Sequence, residues 1–138
     1  MTEQEFWEIV DGALVNPATP FFLEDHYLSY WNAVNALSDQ KMSEFATMHE
    51  TLVARAIESG LEHVVVLVQK DFDMANLEAF ASGLISRGQQ VYYNCLTDPQ
   101  TTLLSITRPL LLSKCAAFQF VPAMIRAERQ GAEGPPGL

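Results

Sequence analysis

The sequence predicts a mostly α fold in a single compact helical domain. Apolar residues recur three and four apart through most of the chain, the period of one face of a helix. Helix-start residues (Thr2, Ser38, Asp73) and helix-stop glycines (Gly60, Gly88) punctuate those stretches. The length of 138 residues fits one domain. The expected boundaries are residues 1–130 for the globular part and 131–138, with a Pro-Pro pair and glycines, for a frayed tail.

Thr2 and Glu5 form a capping box. It opens a helix with Phe6, Trp7, Val10, Ala13 and Leu14 on one stripe, and Glu3, Glu5 and Glu8 near the positive end of its dipole. Asn16-Pro17 stops it. A second helix is expected over residues 22–37, with Tyr27, Tyr30, Trp31, Val34 and Leu37 at helical spacing. Ser38 caps a third, whose stripe is Met42, Phe45, Ala46, His49, Leu52, Val53 and Ala56, closed by Gly60. Residues 61–69 carry a valine-rich run that suits a buried strand or a short buried helix. With residues 90–93 as partner, the run leaves room for a short two-stranded β element. Asp73 caps the next helix, with Leu77, Phe80, Ala81, Leu84 and Ile85 inward and Gly88 at its end. Residues 100–121 are apolar and poorly periodic, and Pro122 suits the first turn of a last helix reaching residue 130.

Charge is unevenly placed. The first forty residues hold seven acids (Glu3, Glu5, Glu8, Asp11, Glu24, Asp25, Asp39) and no lysine or arginine, so most of the formal net charge of −9 lies there. They also hold half of the aromatic residues, including Trp7 and Trp31. An acidic, aromatic surface attracts basic proteins and repels nucleic acid and anionic membranes. The start of the chain lacks the basic and apolar segments of a secretion signal, and no apolar run is long enough to span a bilayer, so a cytoplasmic protein is expected. Cys95 and Cys115 form no CxxC pair and read as reduced, buried thiols.

The sequence carries few signs of catalytic or metal chemistry. His26, His49 and His63 form no HxxxH or HExxH pair, and His49 falls on a core stripe. Asp71-Phe72-Asp73 lacks the remaining positions of a calcium loop, which favours a capping role for Asp73. P-loop, GxGxxG and GxSxG motifs are missing. No catalytic residue, metal ligand or cofactor is therefore assigned.

Several of these residues together are similar to the DUF4240 family of small bacterial domains of unknown function. The likeness rests on Glu5-Phe6-Trp7, the helix over residues 37–57, Gly60-Leu61, Asp73, Phe80, the LISRGQQV run at residues 84–91, and Leu96-Thr97-Asp98-Pro99. It covers residues 5–103. The chain departs from the family's pattern with Ser82-Gly83 where a tryptophan is expected and with Arg87 in place of glutamine. It also has Asp71 and Asp73 in place of adjacent aspartates. The resemblance implies a mostly helical domain, tips residues 61–69 toward helix, and carries no assigned activity.

The expectation for function is a non-catalytic, acidic protein-binding domain whose partner is a basic protein, a description an immunity protein also fits. Homo-oligomers are compatible with it. The partner-binding candidates are Phe21, Phe22, Glu24, Asp25, Tyr27 and Leu28, aromatic and apolar groups beside acids that cannot all face one core. The alternatives are a small enzyme with His63, Asp71 and Asp73 converging in the fold, and a structural or regulatory subunit.

Overall fold

The Thr2 hydroxyl accepts the Glu5 backbone N–H at 3.1 Å, and the Glu5 carboxylate accepts the Thr2 N–H at 3.4 Å. This reciprocal cap satisfies two donors that a helix start otherwise leaves open, and it launches α1 (Glu3–Gly12). The computed structural model describes residues 1–14, 23–68, 70–99, 101 and 116–130. Beyond α1 it comprises α2 (Leu23–Asn35), α3 (Asp39–Glu58), α4 (Leu61–Val68), a 3-10 turn (Met74–Asn76), α5 (Leu77–Ser86), α6 (Gln89–Thr97) and α7 (Ala116–Arg129). No strand occurs among the described residues. The Asn16-Pro17 stop and the expected tail at residues 131–138 lie outside them.

Local chemistry explains most boundaries. The Ser38 hydroxyl accepts the Lys41 N–H at 3.2 Å at the start of α3. Gly60 turns the chain at φ +94° and Gly88 at φ +104°, a region costly to a residue with a Cβ. Each glycine restarts a helix at once: the His63 N–H meets the Gly60 carbonyl, and the Tyr92 N–H the Gly88 carbonyl. The Asp73 carboxylate accepts the Ala75 N–H at 3.0 Å, so it caps the 3-10 turn that leads into α5 rather than α5 itself.

The choice left open for residues 61–69 falls to helix over residues 61–68, as the resemblance implies, and two expectations are corrected. The valine-rich run is helical, because Leu61 and Val65, four apart, are buried while Val66 and Leu67 are exposed. That is a helix face, not strand alternation. The second run, residues 90–93, also lies in a helix, α6, which removes the only partner for a two-stranded element. The last helix starts six residues before Pro122, which sits inside it and is buried. Proline there forfeits one backbone hydrogen bond. The turn upstream is held by Phe118, buried against Tyr30 at 4.9 Å, Tyr27 at 5.4 Å and His26 at 5.2 Å.

Helix α5 is the axis of the packing. It is buried from Ala79 through Ser86, on all faces, and packs on α3, α6 and α7. The core continues as aromatic layers: Phe6 stacks on Phe45 at 4.6 Å, and Trp7 meets Tyr92 at 5.2 Å. The Tyr92 hydroxyl donates to the Leu52 carbonyl at 2.6 Å and ties α6 to α3.

Candidate functional site

The acids that look free in the sequence are largely spoken for in the fold. Glu3 pairs with Arg55 at 3.1 Å and also accepts the Tyr93 hydroxyl, joining α1, α3 and α6. Glu5 pairs with Lys41 at 3.1 Å, which holds the Glu5 carboxyl below the usual carboxylate range and raises the lysine. Asp11 accepts the Gln89 N–H at 2.9 Å and caps α6. Asp39 pairs with Arg129 at 2.8 Å. These carboxylates hold helices together.

Negative charge without a cation lies elsewhere. Glu50, Ala54 and Glu58 are exposed at four-residue intervals along α3 and form one ridge. No ion pair among the described residues involves Glu50 or Glu58. Between this ridge and α7 runs a groove of about 630 Å³, with Ala46, Val53, Ile57, Pro122 and Ala123 among its apolar lining. Phe120 stands at its α7 lip, 53% exposed. Glu78 closes the end near Glu58 and accepts the Gln119 amide at 3.3 Å. Arg126 lies toward the opposite end, bonded to the Ser43 hydroxyl near the start of α3.

His49 also lines this groove. It is 4% exposed, lies 6.5 Å from the Phe6 ring, and its Nε2 has no hydrogen-bond partner among the described residues. Burial pushes its pKa down to about 4, so the ring is neutral at pH 7. A neutral imidazole adds no positive charge to the apolar floor, and among the described residues the lining carries three carboxylates against one guanidinium.

The partner-binding candidates on α2 are only partly placed. Phe21 and Phe22 lie outside the described residues, and Glu24 and Asp25 fall in the first turn of α2. Tyr27 is half-buried on Phe118, and burial raises its phenol pKa. Leu28 is 59% exposed. Of the alternative trio, His63 is exposed beside Glu62 at 3.6 Å, Asp73 is a cap, and Asp71 is exposed. Among the described residues, no three His, Cys, Asp or Glu side chains come together in a way that could hold a metal ion. Cys95 is a free, buried thiol with its pKa pushed up to about 11 by burial. Cys115 lies outside the described residues.

The groove escaped the sequence reading for a definite reason. Its α7 wall begins inside the stretch that shows no clear period, so no outward face could be assigned to Phe120. The signal was present in the spacing: Phe118, Val121 and Ile125 mark the buried face of α7, and Phe120 and Met124 fall off it.

The family model for a protein of unknown function, DUF4240, matches residues 1–120. The chain belongs to the DUF4240 family. The DUF4240 match spans α1 to α6 and the first turn of α7, so it extends beyond the residues 5–103 that carry the resemblance. It contains the whole α3 wall of the groove and the α7 wall as far as Phe120. No curated protein and no solved structure matches the chain. No helix among the described residues is long and apolar enough to cross a membrane.

Proposed function

We propose that this DUF4240 protein is a non-catalytic, cytoplasmic binding domain whose partner is a basic protein. The observation that carries the reading is the coincidence of unpaired acids with exposed apolar surface. Among the described residues Glu50 and Glu58 have no cation partner, and they border a groove that leaves Phe120 half in water. An aromatic anchor beside an apolar cleft with a charged rim is the usual anatomy of a protein contact. The acids select for a basic partner and repel nucleic acid. A reduced, buried Cys95 fits the cytoplasm. Neutralisation of a basic toxin, in the manner of an immunity protein, is one role such a domain fills.

Capture from a lysate at low and at moderate salt, followed by mass spectrometry, tests the reading. Wild-type protein is expected to retain one basic protein in stoichiometric amount, and to release it as salt rises. A Glu50→Lys, Glu58→Lys variant probes the groove, and a Glu24→Lys, Asp25→Lys variant probes the start of α2. Loss of the partner with either variant supports the reading and locates the surface. Identical retention by wild type and both variants, or no basic protein at all, defeats it.

A further inference from the structure

We infer that the groove between α3 and α7 takes one amphipathic α-helix of the partner, about three turns long, bound in a fixed direction. This rests on the reading of the protein as a binding domain for a basic partner, and it adds the form and orientation of what is bound.

The dimensions point to a helix. The lining on α3 runs from Ala46 to Glu58, and twelve residues of helix rise about 18 Å. A third helix laid between two packed helices presents apolar residues at i, i+3/i+4 and i+7 to the cleft. The α3 ridge has its smallest residue, Ala54, between Glu50 and Glu58, which lets an occupant approach closely at mid-groove. Phe120, Pro122 and Ala123 on α7 supply the opposite apolar wall.

Charge sets the partner's edge. Glu50 and Glu58 lie eight residues apart, about 12 Å along α3. Lysines or arginines seven or eight apart on the occupant, two turns, match that spacing. Glu78 adds a second carboxylate at the Glu58 end.

Polarity sets the direction. Glu58 and Glu78 occupy one end of the groove and Arg126 lies toward the other. Helix α7 runs with its last turn beside the start of α3, where Arg129 meets Asp39 and Arg126 meets Ser43. A helix dipole is positive at its N-terminus and negative at its C-terminus. The bound helix therefore puts its N-terminal end toward Glu58 and Glu78 and its C-terminal end toward Arg126. It runs parallel to α7 and antiparallel to α3.

The test uses the full chain and a displayed library of 14-residue amphipathic peptides, with the apolar face varied and the edge residues drawn from Lys, Glu and Gln. Selection is expected to enrich lysine edges two turns apart. Phe120→Asp, and separately Glu50→Lys, Glu58→Lys, are expected to weaken the best peptide at least tenfold by fluorescence anisotropy. Both alter exposed positions, and an unchanged melting temperature shows that the fold is intact. A nitroxide on that peptide's N-terminus should broaden the amide signals of Ile57, Glu58 and Glu78, and one on its C-terminus those of Ala46 and Arg126. No enrichment, enrichment of glutamate edges, affinity within twofold in both variants, or the reversed broadening pattern overturns the inference. The binding-domain reading fails separately: if the captured basic protein is lost only with the α2 variant, that reading stands and the groove helix does not. If the library selects groove-binding lysine helices while no basic protein is captured, the groove stands and the reading falls.

Discussion

Gly88 shows how one residue fixes the meeting of two helices. Its φ of +104° and ψ of 169° lie in a region that essentially only glycine occupies. A Cβ there would stand 2.8 Å from the Asp11 carboxylate oxygen and 2.9 Å from Leu14 Cδ1. That same oxygen caps α6 at the Gln89 N–H. Gly88→Ala thus combines about 1–3 kcal/mol of backbone strain with displacement of a cap worth about 1 kcal/mol. Urea unfolding should register a loss of about 2–4 kcal/mol, and Asp11→Ala a loss of about 1 kcal/mol. Because both changes break the Asp11 contact, the double variant should lose less than the sum of the two. Full additivity would mean that Asp11 and Gly88 do not act on the same junction.

At the scale of elements, helix ends and core faces were the legible part of the sequence. Thr2, Ser38 and Gly60 act locally, so a short stretch of sequence contains their chemistry, whereas Gly88 shows its stop in the sequence but not its contact with Asp11. The stripe on α3 was equally plain, and Met42, Phe45, His49, Leu52, Val53 and Ala56 are all buried. What could not be read depends on distant partners. Glu3 and Glu5 resemble solvating acids until Arg55 and Lys41, more than thirty residues away, are folded against them. Residues 61–68 became a helix because one face found the core, which a run of valines does not announce. The same dependence governs the docking of α6. Tyr92→Phe removes the hydroxyl that holds the Leu52 carbonyl at 2.6 Å, and should cost about 1 kcal/mol. The Glu3–Arg55 pair is more than a third exposed on its arginine side. A double-mutant cycle across it should give a coupling below about 1 kcal/mol. A larger value would mark the Glu3, Arg55 and Tyr93 cluster as the stronger tie of α6 to the bundle.

For the whole molecule, two buried histidines make stability depend on pH between about 4 and 6.5. Burial pushes His49 down to about 4. Burial first, then the Arg87 charge, brings His26 to about 4 against a hydrogen bond with the Ser86 backbone that opposes the shift. In the unfolded chain both titrate near 6.5. Between those values the unfolded state holds more protons than the native one, so protons favour unfolding and stability rises with pH. The full contribution is present above pH 6.5 and is lost as pH falls toward 4. By pH 5 each histidine should have withdrawn about 2 kcal/mol, a large share of the roughly 5–15 kcal/mol that a domain of this kind possesses. Glu5 and Glu44 are held below their ordinary value of 4.5 by Lys41 and by the Met1 ammonium, so their loss comes at lower pH. Urea midpoints measured from pH 7.5 to 5 therefore isolate the histidines. His49→Leu should flatten that decline to about half, leaving the His26 share. An unaltered slope in the variant would show that His49 carries its proton in the folded protein, and that the groove floor is open to water and charge.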